Sequence, residues 1–145
     1  MEDFVLPLQI RWSDLDPNFH LRHAVYYDWG SMCRMEFLVN HGLTTALMSA
    51  GHFGPILFRE ECVFRKEIRY GDLISINLEI MKSTRDYSRW SIKHTIQKAE
   101  KKAAAYLTIE GAWMQTVERK LIPAPPIAVA VFSQMPKAPD FSWMD

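Results

Sequence analysis

Cysteine is scarce here: Cys33 and Cys62 are the whole supply in 145 residues. Both sit inside apolar stretches, which points to reduced core or interface thiols and not to a disulfide framework. Two cysteines without a nearby second pair also make no zinc site. An excess of one charge is missing as well, since 17 Lys plus Arg balance 17 Asp plus Glu. A chain with zero formal net charge has no electrostatic grip on nucleic acid or on an anionic membrane, so neither is expected as a partner. No apolar run reaches the length of a membrane span. Met1 to Phe4 have neither the basic start nor the long apolar run of a signal peptide, so a cytoplasmic location is expected. No internal repeat is visible. The length suits one domain, 1–145, able to bury a core.

What is present is ordinary globular composition, 48% hydrophobic and 23% charged, with aromatics at a generous 12% that suits an apolar pocket or a large interface. Phe4, Leu6, Leu8, Ile10 and Trp12 alternate, the period of a strand with one buried face. Pro7 on the other face makes it an edge strand or a bulged one. Ser13 to Asn18 is rich in turn formers. From His23 to His41 the apolar residues Tyr26, Trp29, Gly30, Cys33 and Phe37 recur at three and four, which predicts a helix. Gly42 is placed to end it in a left-handed conformation. Gly30 costs that helix roughly 1 kcal/mol against Ala, a cost offset if the backbone must approach a sheet closely.

Thr44 to Ser49 predicts a short helix and Gly51 to Pro55 a loop. After that, everything reads as strand: Ile56 to Ile68, Ile74 to Ile80, Trp90 to Ile96 and Ala103 to Val117, separated by hairpin-sized polar breaks that include Lys98 to Lys102. The Pro-rich stretch from Pro123 to Pro139 reads as an extended strap, with 126–145 a C-terminal tail. One helix cannot cover both faces of a five-stranded sheet, so the sheet curls around it or a second subunit covers the rest.

Residues 10 to 29 read Ile-Arg-Trp-Ser-Asp-Leu-Asp-Pro-Asn-Phe-His-Leu-Arg-His-Ala-Val-Tyr-Tyr-Asp-Trp. This resembles the opening segment of hotdog thioesterases of the 4-hydroxybenzoyl-CoA and Tol-Pal-associated acyl-CoA type: an arginine strand, Asp-x-Asp, a short loop, then Asn or His before a helix that contains a tyrosine. Phe64 to Asp72 resembles the family's segment closing on Gly-Asp, and Arg119 to Pro126 its basic-then-proline exit. The resemblance touches most of residues 8 to 126. It implies an α+β hotdog fold, a five-stranded antiparallel sheet around one long central helix, with acyl-CoA as substrate, no cofactor, and a homodimer or homotetramer with the active site at the subunit interface. It also implies that the second aspartate, Asp16, is the catalytic carboxylate. The chain departs from its relatives at Phe19, Arg22 and His23, where Gly and Asn-Asn are common, and at Glu67, where proline is common.

The chemistry can be read without the family. Thioester hydrolysis needs a base or nucleophile and something to hold the developing oxyanion. An aspartate is ionised at neutral pH and can activate water or attack the carbonyl. The first N–H groups of a helix carry the positive end of its dipole, so His23 and Ala24 are the candidate oxyanion donors, with His23 also a candidate for orienting substrate. His20, Tyr26, Tyr27, Trp29 and Phe58 are candidates for the substrate pocket. Asp14 reads as a structural turn residue. His20 and His23 with Asp16 hint at a metal, but no further ligand pair accompanies them, and no metal is expected. Two readings compete with hydrolysis. One is an enoyl-thioester hydratase of the same fold using Asp14 and His20, against which the order Pro17-Asn18 counts. The other is a non-catalytic acyl-binding module.

Overall fold

The computed structural model describes residues 3–99 and 102–144. Met1, Glu2 and Asp145 lie outside it, as do Glu100 and Lys101 in the expected break at 98–102. The first strand, β1 (Val5–Leu8), is shorter than the alternation from Phe4 to Trp12 suggests. Burial does alternate as far as Ile10, but Trp12 is 73% exposed and opens a 3-10 turn over Trp12–Asp14. Among the described residues β1 pairs only with β3 (Ile74–Asn77), with Pro7 opposite Ser75, so the proline does sit on an edge strand.

The long helix α1 (His23–Asn40) follows the period read from the sequence: Tyr26, Trp29, Gly30, Cys33 and Phe37 are all buried. Gly42 ends it with φ +97, the left-handed conformation expected of it. α1 lies on the sheet with almost no gap at Gly30. A Cβ there would meet His94 Cδ2 at 3.4 Å and Leu107 Cδ1 at 3.6 Å, one on each of two neighbouring strands.

α2 (Thr45–Gly51) is capped by Thr44, whose Oγ1 accepts from Leu47 N at 3.1 Å. The loop expected over Gly51 to Pro55 is absent. His52 turns the chain in one left-handed residue, and β2 (Phe53–Phe64) begins at once, with Phe53 opposite Gln115. β2 stops at Phe64, short of Ile68, where Arg65 and Lys66 both donate to Ala104 O and bend away from the ladder. The expected strand 74–80 is two: β3 and β4 (Glu79–Thr84), broken at Leu78. β5 (Arg89–Lys98) and β6 (Lys102–Gln115) form the central ladder, and β7 (Lys120–Ile122) folds back on β6.

The expected strap and extended tail over 123–145 are corrected. α3 (Pro126–Phe132) begins with proline in its first turn, and β8 (Lys137–Met144) then runs parallel to β4. The prolines that suggested an extended path start the helix, where a missing N–H costs nothing, and lie on an edge strand. The sheet order is therefore β1 and β8 along β3 and β4, then β5, then β6, then β2 at the far edge. The five expected strands are present, one of them broken at Leu78, and β7 and β8 are additions. The core lies between α1 and the inner face, where Ile76, Ile80, Ile92, Ile96, Leu107 and Ile109 are fully buried. No helix among the described residues is long and apolar enough to cross a membrane.

Candidate active site

The loop ahead of α1 is built by two aspartates with different work. Asp14 is 1% exposed and takes three kinds of bond from Arg11: N to Oδ2 at 2.9 Å, Nε to Oδ1 at 3.2 Å and Nη2 to Oδ1 at 2.9 Å. The Arg11 hydrogen bonds hold the Asp14 carboxyl below its ordinary pKa. Asp14 O also accepts from Arg22 N at 2.7 Å, so it fixes both ends of the loop, the structural role read for it. It is not paired with His20, as a hydratase reading would need.

Asp16 is the residue that meets His20. His20 Nδ1 stands 3.0 Å from Asp16 Oδ2, while Asn18 N donates to Oδ1 at 2.9 Å. Phe19 carries φ +64 at the loop tip, which lets the chain double back so that Asp16 N donates to His20 O at 2.9 Å. Leu21 N then donates to Ile68 O at 2.7 Å, and His20 bridges Arg69. These contacts tie the loop to the segment after β2.

Between them lies a cavity of about 440 Å³. Asp16, His20, His23 and Tyr26 all line it, so four of the candidate residues come together. Its far wall is Phe64 to Glu67. Tyr26 packs edge-on against Phe64 with ring centroids 4.9 Å apart, and burial pushes the Tyr26 phenol up to about 12, so it stays protonated. α1 starts at His23 with Arg22 as its cap residue, and Arg22 makes no side-chain capping bond. The first amides of the helix are thus left without a side-chain acceptor.

Other candidates fall elsewhere. Trp29 is a core residue, 7% exposed and 6.3 Å from Tyr26 by ring centroids. Ala24 and Tyr27 do not line the cavity at Asp16, and Tyr27 is half-buried beside Cys62. Phe58 is not with Asp16 at all. It is 51% exposed on β2, under the Arg89 guanidinium at 5.0 Å. Arg65 and Lys66, read from sequence as part of a strand, instead line this cavity. No local pattern marks them, because their position depends on pairing with Ala104, nearly forty positions away.

A family model described as the thioesterase-like superfamily matches residues 10–132. No curated protein matches the sequence significantly. Among solved structures, the chain is similar to a Staphylococcus aureus protein in complex with CoA, at 19% identity and TM-score 0.84 over 91% of this chain and 82% of that one. It is similar to a 1,4-dihydroxy-2-naphthoyl-CoA thioesterase from Synechocystis, at 19% identity and TM-score 0.81 over 92% and 97%. A DHNA-CoA thioesterase from Staphylococcus aureus gives 18% identity and TM-score 0.82 over 92% and 91%. The fold is the α+β hotdog fold.

Proposed function

The chain belongs to the thioesterase-like superfamily and is a thioester hydrolase; from that premise we propose that it hydrolyses an acyl-CoA with Asp16 as its catalytic carboxylate. The observation that carries this reading is one of position: Asp16 and the first residue of the uncapped α1 line the same cavity. The thioester carbonyl oxygen sits at the His23 amide, where the helix dipole favours the charge that develops. Asp16 acts as base toward a water, or as nucleophile. In the first case the water oxygen bonds to the acyl carbon and the C–S bond breaks. The proton taken by Asp16 passes to the leaving sulfur, giving free acid and CoA thiol. His20 fixes the carboxylate from the side, and Tyr26 with Phe64 forms the apolar wall.

The site is completed by a second copy. β2 pairs only with β6 among the described residues, so its other edge is open, and Leu57, Phe58, Val63 and Phe64 on this strand are exposed. A long apolar edge strand left open is an aggregation hazard, which self-pairing removes. An antiparallel pairing about Glu60 sets Arg59 against the partner's Glu61. The same pair, Arg59 and Glu61, already bonds at 2.7 Å along one strand. A panel of acyl-CoAs followed by free thiol tests the activity. Thiol release supports it, and its absence across the panel leaves the acyl-binding module as the better account.

A further inference from the structure

A second hollow, of about 210 Å³, lies under the C-terminal half of α1, closed by the start of β2, by β5 and by α3. Leu57, Ile92 and Phe132 give it apolar walls, while Ser31, Arg34 and Trp90 are its polar exceptions. Two donors there are under-used. Trp90 is 3% exposed, and its indole Nε1 is buried without a hydrogen-bond partner among the described residues. Arg34 gives Nη1 to His94 Nε2 at 3.1 Å and reaches Glu60 Oε2 only at 3.8 Å. His94 is neutral at physiological pH, because burial and the Arg34 charge push it down to about 3. It therefore accepts at Nε2 and donates Nδ1–H to Asn77 O at 2.8 Å. A cation beside a neutral imidazole and an unmatched N–H, in an otherwise apolar hole, is complementary to a group that is anionic and only accepts. A carboxylate is such a group and has lone pairs enough for both donors.

The location gives this hollow its role. Within one chain the two cavities lie at opposite ends of β2, with Phe64 to Glu67 at the first and Pro55 and Leu57 at the second. Antiparallel self-pairing about Glu60 brings the Phe64 end of one β2 alongside the Pro55–Leu57 end of the other. Each Asp16 cavity then lies beside the partner's 210 Å³ hollow. At ~30 Å³ for a water-sized group, the hollow holds about seven heavy atoms. We propose that it receives the far end of the acyl group from the partner's active site, and that Arg34 and Trp90 there select a terminal carboxylate. The substrates favoured are CoA monothioesters of short dicarboxylic acids. This rests on the thioesterase and dimer readings above.

The test compares glutaryl-CoA with pentanoyl-CoA, which differ only in a carboxylate for a methyl at the far end. Wild type is expected to favour glutaryl-CoA in kcat/KM by about tenfold or more, the scale of a charge-assisted hydrogen bond. Arg34→Met should lose that preference, and Trp90→Phe, which keeps the ring and deletes the N–H, should reduce it several-fold at a melting temperature near wild type. Mixing inactive Asp16→Asn with unselective Arg34→Met should restore glutaryl-selective thiol release, because one site of each mixed dimer has both residues. Equal rates on the two substrates in wild type, preference retained in both single variants, or mixed dimers without selectivity would overturn the proposal. If no acyl-CoA releases thiol, it is the hydrolase reading that fails, and calorimetric binding of the same pair decides the pocket. Tighter glutaryl-CoA binding that Arg34→Met abolishes supports it, and equal binding overturns it.

Discussion

Lowering the pH from 7 to 5 should destabilise this fold by about 2 kcal/mol through His94 alone. His94 is fully buried on β5, and burial, with the Arg34 cation adding to it, pushes its pKa down to about 3 from an ordinary 6.5. The Asn77 carbonyl opposes this but does not overcome it. In the folded state the ring stays neutral down to about pH 3, while in the unfolded chain it takes a proton near 6.5. Unfolding therefore takes up a proton between those limits. The stabilisation is fully present above 6.5 and is lost as pH falls, at about 1.4 kcal/mol per pH unit. The window from 7 to 5 stays above the ordinary carboxylate range, so Asp and Glu contribute little to it. Urea unfolding at pH 7, 6 and 5, all at one protein concentration, measures the slope, because the stability of any self-associating chain depends on concentration. His94→Gln removes the titrating ring and should flatten the profile relative to wild type, whatever its absolute stability. Parallel profiles for the two proteins would refute the reasoning.

Gly30→Ala should destabilise by about 1 kcal/mol, although helix propensity alone favours it by about that much. The added Cβ would stand 3.2 Å from Arg34 Nη1 and disturb its bond to His94, so a higher urea midpoint would show that the space is not needed. Tyr26→Ala should cost about 3–5 kcal/mol and also shift acyl selectivity, because Tyr26 lines the cavity at Asp16. Trp29→Ala should cost as much stability and leave selectivity alone; thermal unfolding and a two-substrate assay separate them. Sedimentation at micromolar concentration should give a dimer or tetramer, and Val63→Asp should dissociate it. A monodisperse wild-type monomer would remove the partner from the site.

Much of the fold was legible because the signals are local. The period of Tyr26, Cys33 and Phe37 marked α1, and Gly42 marked its end. Four strands followed from apolar runs between polar breaks. The tail was misread because proline has two meanings. Pro126 starts a helix, and Pro139 lies in an edge strand, yet composition alone reads both as extended chain. The loop read at Gly51 to Pro55 failed because β2 begins immediately after a single left-handed residue, His52. At the site, Asp16, His20, His23 and Tyr26 lie close in sequence, and all four line one cavity. Phe58 was misplaced because which end of a twelve-residue strand meets the loop is settled by register with β6. Arg34 and His94, sixty positions apart, gave no signal at all.

The most direct test of the account is kcat/KM for Asp16→Asn on an acyl-CoA that the wild type plainly hydrolyses, with Asp14→Asn and His23→Ala alongside and melting temperatures for all. Asn keeps the shape of Asp16 and can still accept from Asn18 N, but it is neither a base nor a nucleophile. The predicted loss is therefore at least the 10²–10⁴ that general-base assistance supplies, with little change in melting temperature. Asp14→Asn should show the reverse: a lower melting temperature from weakening the Arg11 pair, and far less loss of rate. His23→Ala should fall between, because the backbone amide assigned to the oxyanion survives it. If Asp16→Asn stays within a few-fold of wild type, Asp16 is not the catalytic carboxylate.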